Sequence, residues 1–257
     1  MTISQGTVIV TGATRGIGRA TVAAVLERGG RVVAIARDAE ALRALETSAA
    51  GRIRTVAADL ADSIAIPEVA GRAIDAFGSV DGLVNCAGIA LYERVGAISF
   101  DSIEAQLRVN LVAPLLLSQA FAEHLRGRGG AIVNVSSTLS EHVAQSTMVY
   151  AATKAALNTV TKGLALELAP VGVRVNAVLP GGVETDMLRA PRLRPGESLT
   201  AEELDKRVES QLAGLAALHP LGRLGTPEEV AEVIIGVLDQ LWQTGSLVTI
   251  DGGLSIA

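Results

Sequence analysis

Aromatic residues and cysteine are scarce in this sequence. Phe, Trp and Tyr make up 2% of the 257 residues, so the core must be built from aliphatic side chains, as in a buried parallel sheet. The single cysteine, Cys86, cannot form an internal disulfide or a multi-thiolate metal site. The three histidines, at positions 124, 142 and 219, lack the spacing of metal ligands. We therefore expect no metal centre, and the cysteine usage fits a reducing compartment.

An excess of positive charge is absent, and so is a long apolar run. The chain has 22 basic and 27 acidic residues, and its net charge of −5 disfavours nucleic acid and anionic membranes as partners. The N-terminus has no basic residues before its short apolar run, and the longest uncharged stretch, 109–122, is too short to span a bilayer. We expect a cytoplasmic, soluble protein that binds a small molecule, and neither nucleic acid nor membrane.

The sequence pattern is that of an α/β protein. Hydrophobic residues make up 49% of the chain and charged residues 19%, which excludes a disordered chain. Short β-branched runs alternate with segments that carry apolar residues at spacings of three and four. The predicted strands cover residues 7–10, 31–36, 53–58, 82–84, 131–135, 174–178 and 247–250, and the predicted helices cover 16–28, 38–49, 64–77, 99–125, 149–168 and 227–238. This alternation predicts a Rossmann fold: a doubly wound, parallel, seven-stranded sheet with helices on both faces.

No linker or repeat divides the sequence, so we expect one domain over residues 1–257. The irregular segment is 186–220, which ends in a helical pattern over 201–215. Its first half contains two prolines and the arginines Arg189, Arg192 and Arg194. A long insertion of this kind is typical of a mobile cover over a site. Its three arginines could meet a carboxylate or phosphate, whereas the alternative is a solvated mobile segment.

A glycine-rich turn joins the first predicted strand to the first helix. Its glycines let the backbone turn tightly and approach a pyrophosphate, whose charge is attracted by the N-terminus of the helix. Such turns also occur for steric reasons alone, but the position between strand and helix favours a dinucleotide site. The expected binding residues are Gly12, Thr14, Arg15, Gly16, Ile17 and Gly18.

The end of the second strand indicates which dinucleotide binds. Ala36 stands where an NAD site carries a carboxylate for the ribose, and Arg37 follows it. Arg37 and Arg15 could together clamp a 2′-phosphate, which favours NADP(H) as the cofactor. In the alternative, both arginines are solvated and Asp38 binds the ribose, although Asp38 is also placed to cap the next helix.

Tyr150 and Lys154 are four residues apart at the start of a helical pattern, which puts both on one helix face. A lysine ammonium about 4 Å from a phenol, at an effective dielectric constant of about 20, contributes about 4 kcal/mol, or about 3 pKa units. The spacing therefore predicts a tyrosine whose pKa is lowered towards neutrality. The alternative is a pair of surface residues without a catalytic role.

Five ordered motifs together resemble the single-domain branch of the short-chain dehydrogenase/reductase family, over nearly the whole chain. They are the glycine-rich turn, Asn-Cys-Ala-Gly at 85–88, Ser137, Tyr150-x-x-x-Lys154, and Pro-Gly-x-Val-x-Thr at 180–185. The resemblance implies that Tyr150 is the general acid/base and that Ser137 hydrogen-bonds the substrate oxygen. It also implies that Lys154 holds the nicotinamide ribose and lowers the phenol pKa.

The resemblance gives Asn110 a place in the same site, binding a water of the proton relay. Pro114, four residues on, has no N–H for the Asn110 carbonyl and should kink the helix there. Ser137 has an alternative role in capping its own loop, with Ser136 and Ser140 as rival candidates. Further cofactor contacts implied by the resemblance are Asp59, Leu60, Asn85, Ala87, Gly88, Pro180, Gly181, Val183 and Thr185.

The implied reaction is reversible hydride transfer between NADP(H) and a carbonyl or secondary alcohol, with no metal. The alternatives are an NAD-dependent alcohol or sugar dehydrogenase, a 3-oxoacyl-carrier-protein reductase and a non-catalytic NADP(H) sensor. Segments 9–20 and 219–231 resemble those reductases, whereas 89–93 do not. Residues expected to face the substrate are Leu91, Tyr92, 139–142, Met148, Met187 and Leu188.

The resemblance also implies a homotetramer, or a homodimer, built through the helices that contain Asn110 and Tyr150 and through the last strand. Apolar faces over 100–121 and 155–168 fit burial against a second subunit. The same faces would serve a monomer core.

Overall fold

Seven strands form one parallel sheet in the described part of the chain, as the sequence predicts. The computed structural model describes residues 2–49, 51–192, 197 and 199–257. The strands are β1 (Thr7–Thr11), β2 (Arg31–Ala36), β3 (Ile53–Ala57), β4 (Gly82–Asn85), β5 (Ala131–Val135), β6 (Arg174–Pro180) and β7 (Leu247–Ile250). Their order across the sheet is β3-β2-β1-β4-β5-β6-β7. The helices are α1 (Gly16–Glu27), α2 (Ala39–Thr47), α3 (Ile66–Asp75), α4 (Phe100–Leu107), α5 (Ala113–Leu125), α6 (Met148–Leu168), α7 (Asp186–Arg189), α8 (Ala201–Ala216) and α9 (Pro227–Asp239).

Helices cover both faces of the sheet. Successive residues of β1 point to opposite faces: Val8 and Val10 pack in the core under α1, α2 and α9, whereas Ile9 packs in the core under α3, α5 and α6. All five residues of β1 are buried. Phe121 is the one aromatic residue among the largest fully buried side chains of the described chain. The aliphatic core expected from the composition is confirmed, and the fold is the predicted Rossmann fold.

The strand order reverses next to β1. From β1 the chain passes outward to β3 on one side and then returns to β4 on the other side. In an open parallel sheet, this reversal leaves a crevice at the carboxyl ends of the strands, where ligands bind. The glycine-rich turn after β1 opens into this crevice.

The predicted helix 99–125 is divided into α4 and α5 by a π-helical turn, Arg108–Val112. At the end of this turn, the N–H of Ala113 donates to the carbonyl of Arg108. Pro114 has no N–H to offer to the carbonyl of Asn110, so the regular hydrogen-bond ladder cannot continue. The distortion expected at Pro114 is confirmed, and its form is a π-turn.

The segment expected to cover the site contains α7, which the sequence analysis missed, and α8. Arg194, Pro195 and Gly196 lie outside the described residues. The side-chain Nε2 of Gln211, on α8, donates to the carbonyl of Leu188, so α8 holds the end of α7. The mobility of this segment stays a prediction.

Over residues 2–49, 51–192, 197 and 199–257, no helix is both long and apolar enough to cross a bilayer. Over the same residues, no three His, Cys, Asp or Glu side chains are grouped so that they could hold a metal ion.

Candidate active site

A cavity of about 710 Å³ lies at the carboxyl ends of the strands. It runs from the turn after β1 to the start of α6 and the loop after β6. Its wall includes eighteen of the site residues expected from the sequence: Gly12, Thr14, Arg15, Gly16, Ile17, Gly18, Arg37, Asp59, Leu60, Ala87, Gly88, Ser137, Tyr150, Lys154, Pro180, Gly181, Val183 and Thr185. The structure therefore brings the glycine-rich turn and the Tyr150 motif into one cavity.

The geometry of the glycine-rich turn suits a pyrophosphate. Gly12 has a φ of +65°, a conformation that side chains other than glycine rarely adopt. A Cβ atom on Gly18 would lie 2.2 Å from the carbonyl oxygen of Gly12, so the turn can close only with glycine there. The first residue before α1, Arg15, makes no side-chain capping bond, which leaves the first N–H groups of the helix available to an anion. The residues present fit a dinucleotide.

Thr11, which the sequence analysis did not single out, fixes the floor of this turn. Its hydroxyl oxygen accepts from the backbone N–H groups of Cys86 and Ala87, both at 3.0 Å. A β-strand threonine gives no sequence signal for this role, because the partner loop is more than seventy residues away.

Two arginines flank the end of the cavity where the second ribose of a dinucleotide would bind. Arg15 and Arg37 both line the cavity and both are exposed; 66% of the Arg15 side chain is accessible, and it forms a 3.8 Å ion pair with Asp186. Asp38 caps α2, since its Oδ1 accepts from the N–H groups of Glu40 and Ala41. The capping role expected for Asp38 is confirmed, and that oxygen is already engaged.

Tyr150 and Lys154 lie on one face of α6, as the spacing predicts. The Nζ of Lys154 is 5.7 Å from the centroid of the Tyr150 ring. Both residues are buried, with 9% and 4% of their surfaces exposed. The ammonium donates to the carbonyl of Val135 at 2.8 Å. A Cβ on Gly88 would lie 3.6 Å from this Nζ, in ordinary van der Waals contact, so Gly88 borders the lysine.

Burial controls the titration of this pair. It raises the pKa of the Tyr150 phenol, with a contribution from neighbouring Tyr92, and a hydrogen bond from Ser137 opposes the rise. Burial also lowers the pKa of Lys154 to about 8. The spacing predicts a phenol pKa lowered by Lys154. The structure corrects this, because burial disfavours the charged forms of both side chains and is the largest influence on each pKa.

Ser137 faces Tyr150 and also caps its own loop. Its side chain is close enough to Tyr150 to lower the pKa of the phenol and so oppose the effect of burial, and its Oγ accepts from the N–H of Leu139 at 3.1 Å. The rival serines point elsewhere: Ser136 donates to the carbonyl of Lys154, and Ser140 donates to the carbonyl of Ser137. Ser137 is therefore the serine whose side chain acts on Tyr150.

Asn110 lies behind the cavity wall. Its Oδ1 accepts from the N–H of Ile89 at 2.9 Å, and its Nδ2 donates to the carbonyl of Ile89 and to the Thr153 hydroxyl. The side chain thus ties the loop after β4 to α6. Its expected role in a proton relay stays a prediction.

Asn85 requires a correction, because it does not line the cavity as expected. Its Nδ2 donates to Asn134 Oδ1 at 2.8 Å and to the Ser118 hydroxyl at 3.3 Å, so the side chain points into the core. It links β4 to β5 and α5, which is the sheet-stabilising part of its expected role.

Five of the residues expected to face the substrate line the cavity: Tyr92, Leu139, His142, Met187 and Leu188. Leu91 and Met148 are exposed outside it, and residues 140 and 141 are not on its wall. Arg192, one of the arginines of the expected cover, lines the cavity, and so does His219, which was not assigned to it.

His219 is buried, and its two ring nitrogens have separate partners. Its Nε2 accepts from the N–H of Gly182 at 3.0 Å, and its Nδ1 is 2.8 Å from the carbonyl of Leu215. The ring therefore joins the end of α8 to the loop after β6. The sequence signal was the 219–231 segment, which could not show the contact with Gly182.

Comparison with known proteins identifies similar chains. A family model described as short chain dehydrogenase matches residues 6–195. The chain is 38% identical over 250 residues to L-xylulose reductase of Homo sapiens, covering 96% of this chain and 95% of that protein. It is 35% identical over 267 residues to L-rhamnose 1-dehydrogenase (NAD(P)(+)) of Azotobacter vinelandii, covering 100% and 99%. A short chain dehydrogenase of Burkholderia cenocepacia, solved in complex with NADP, superposes with a TM-score of 0.84 at 32% identity, covering 99% of each chain.

Proposed function

The chain belongs to the short-chain dehydrogenase family, and from this premise we propose that it transfers a hydride reversibly between NADP(H) and a small carbonyl or secondary-alcohol substrate. The observation that carries the proposal is the meeting of Tyr150, Ser137 and Lys154 in the cavity that also contains the glycine-rich turn. A binding protein without turnover would have no need for a buried phenol beside a serine and an ammonium.

The cofactor would be held by the glycine-rich turn at one end and by Lys154 at the other, and when bound it supplies or accepts the hydride. In reduction, Ser137 donates a hydrogen bond to the carbonyl oxygen, and Tyr150 gives its phenolic proton to that oxygen. Hydride and proton together add two electrons to the C=O bond. Lys154 stabilises the phenolate left behind, and oxidation follows the same steps in reverse.

Burial favours the protonated form of the Tyr150 phenol. Because burial raises the pKa of Tyr150, the phenol is protonated at neutral pH and ready to act as a general acid. The phenol is therefore available as a proton donor for carbonyl reduction at neutral pH.

The preference for NADP(H) rests on charge at the ribose end. Arg15 and Arg37 are exposed at the cavity, Ala36 offers no carboxylate, and Asp38 is engaged as the α2 cap. The B. cenocepacia relative was solved with NADP. The name of the A. vinelandii relative includes both NAD and NADP, which keeps an NAD-dependent dehydrogenase as the second candidate.

Arg37→Ala tests the cofactor preference. We expect kcat/KM with NADPH to fall about 10- to 100-fold and that with NADH to change little, because a charge-assisted contact to phosphate is lost. The matched control is Arg43→Ala, which removes an exposed arginine from the adjoining helix outside the cavity. If the kcat/KM of the unmodified enzyme with NADH is at least equal to that with NADPH, the NADP(H) assignment is wrong.

Two of the named relatives, L-xylulose reductase and L-rhamnose 1-dehydrogenase, carry the names of sugars, and we propose polyhydroxy carbonyl compounds as the first class to test. NADPH oxidation would be followed against ketoses, simple ketones, quinones and oxoacyl thioesters, with Tyr150→Phe alongside. Turnover of oxoacyl thioesters alone would favour the reductase alternative. No turnover across the panel, despite tight NADPH binding, would favour a sensor.

We also propose a homotetramer, or failing that a homodimer, in the cytoplasm. Large apolar side chains are exposed on several elements: Phe100 and Leu107 on α4, with Phe100 74% exposed, Leu166 on α6, and Trp242 in the loop before β7, with Trp242 99% exposed. Trp242 is the only tryptophan, so its fluorescence reports burial. Sedimentation at micromolar concentration tests assembly; a monomer with solvent-exposed Trp242 emission would contradict it.

A further inference from the structure

Arg192, which the proposed mechanism does not use, lies at the substrate end of the cavity. Its guanidinium carbon is 4.2 Å from the centroid of the Tyr92 ring, and both residues line the cavity wall. Tyr92 is close enough to Tyr150 to contribute to the raised pKa of that phenol. Arg192 and Tyr92 therefore line the same cavity as the reacting group of Tyr150.

The backbone around Arg192 is held by α8. The N–H of Arg192 donates to the Oε1 of Gln211 at 3.3 Å. The Nε2 of the same glutamine donates to the carbonyls of Leu188 at 2.8 Å and Ala190 at 3.2 Å. The Gln211 side chain thus holds the backbone before Arg192 and at Arg192. The guanidinium therefore extends from a backbone position that is fixed.

The charge of Arg192 has no carboxylate partner among the described residues. Its neighbour Arg189 forms an ion pair with Glu184, and Asp186 pairs with Arg15. The Nε of Arg192 is buried, and within the part of the chain that the structure describes it has no hydrogen-bond partner. An arginine stays charged in proteins, and a buried donor without an acceptor is costly. Because Arg192 lines the cavity, an anion inside the cavity could supply the missing acceptor to its guanidinium.

Stacking on Tyr92 leaves the guanidinium capable of such a contact. A cation–π contact uses the face of the guanidinium, whereas its N–H donors lie in its plane. Those donors match the two oxygens of a carboxylate or of a phosphate. Tyr92 thus orients the group without using its hydrogen bonds.

We propose that Arg192, oriented by Tyr92, binds an anionic group of the carbonyl substrate, a carboxylate or a phosphate, and so makes the enzyme selective for acidic substrates. The proposal rests on the proposed function and narrows its substrates to carbonyl compounds that carry an acidic group. The arginine is a specificity residue, because it contacts a part of the substrate that does not react.

The experiment compares matched carbonyl pairs with NADPH: acetoacetate with acetoacetamide, and dihydroxyacetone phosphate with dihydroxyacetone. The two pairs distinguish carboxylate from phosphate. For at least one pair we expect the wild-type kcat/KM to favour the anion at least about tenfold, as for a charge-assisted bidentate contact. Arg192→Gln should remove this preference by raising the KM of the anion, and Arg192→Lys should restore part of it.

Two controls separate a specific contact from general damage. Arg189→Gln removes a nearby charge that already has a partner, and it should keep the anion preference. In Arg192→Gln, kcat/KM for the neutral compound and KM for NADPH should stay within about twofold of wild type. A preference that is absent from the wild type, or that persists in Arg192→Gln, overturns the proposal.

The failure of this proposal differs from the failure of the proposed function. If neutral carbonyls are reduced and anions are not favoured, the hydride-transfer function stands and the role of Arg192 falls. If no carbonyl is reduced, calorimetric titration of the NADP⁺-loaded protein with acetate and with inorganic phosphate still tests whether Arg192 binds an anion. Weaker binding of one ion to Arg192→Gln supports the role of Arg192, and equal binding by both proteins overturns it.

Discussion

Replacing Lys154 with methionine should make the protein more stable and inactive. The structure buries the ammonium, and burial lowers its pKa from 10.5 to about 8. At about 1.4 kcal/mol per pKa unit, holding this cation in the folded protein at pH 7 costs about 3 kcal/mol. Methionine has a similar length and no charge. It loses one hydrogen bond to the carbonyl of Val135, worth about 1 kcal/mol, so Lys154→Met should gain about 2 kcal/mol.

The sign of the pH dependence follows from the same shift. Between the folded pKa near 8 and the unfolded value of 10.5, the unfolded chain binds more protons, so the lysine's contribution to stability improves as pH rises. The advantage of Lys154→Met should therefore shrink by about 1 kcal/mol between pH 7 and pH 9. Cys86 and Tyr150 have raised pKa values, so at higher pH their ionisation lowers the free energy of unfolding, which is the opposite effect. The comparison therefore stops at pH 9.

Thermal unfolding of the cofactor-free proteins, at one protein concentration, measures both effects. A gain of about 2 kcal/mol corresponds to an increase in Tm of about 4 to 8 °C for a chain of this size. Lys206→Met is the matched control, because Lys206 is exposed and pairs with Glu202 in the same i,i+4 register, so its Tm should barely change. If Lys154→Met unfolds at a lower temperature than wild type at pH 7, the burial cost of the Lys154 charge is not the main effect of this residue on stability. That result would refute the reasoning.

Three further predictions concern the cofactor and the acid. Gly18→Ala should raise the KM for NADPH by at least about tenfold, since its Cβ would press on the Gly12 carbonyl, whereas Gly71→Ala, with nothing within 4 Å of its Cβ, should leave it unchanged. His219→Leu removes the acceptor for the Gly182 N–H and should raise the KM for NADPH with little loss of kcat. His142→Leu is the control, because His142 makes no bond to Gly182, and equal effects of the two substitutions would contradict the role of His219. Because burial raises the pKa of Tyr150, carbonyl reduction should stay level from pH 6 to pH 8 and alcohol oxidation should rise with pH; a reduction rate that already falls between pH 6 and pH 7 would contradict that shift.

The sequence predicts what is local in this molecule. The strands, the glycine-rich turn, the capping role of Asp38 and the shared face of Tyr150 and Lys154 depend on residues within a few positions of one another. A distortion at the π-turn is also predictable from the sequence, because Pro114 lacks the backbone N–H that would continue the helix.

What the sequence missed depends on contacts across the fold. The bond between His219 and Gly182 spans 37 positions, and the partners of Asn85 lie on other elements. The phenol pKa was predicted in the wrong direction because its main cause is burial, which only the folded chain supplies. The stacking of Arg192 on Tyr92 joins two loops that no periodicity connects.

The most direct test of the account is single-turnover reduction of a carbonyl substrate by the NADPH-loaded protein and by its Tyr150→Phe variant. The account predicts that the variant binds NADPH as wild type does, by fluorescence titration, and reduces the substrate at least about 100-fold more slowly, because general acid catalysis is lost. A variant that reduces the substrate at the wild-type rate would contradict the account, since the phenolic proton would then have no part in the reaction.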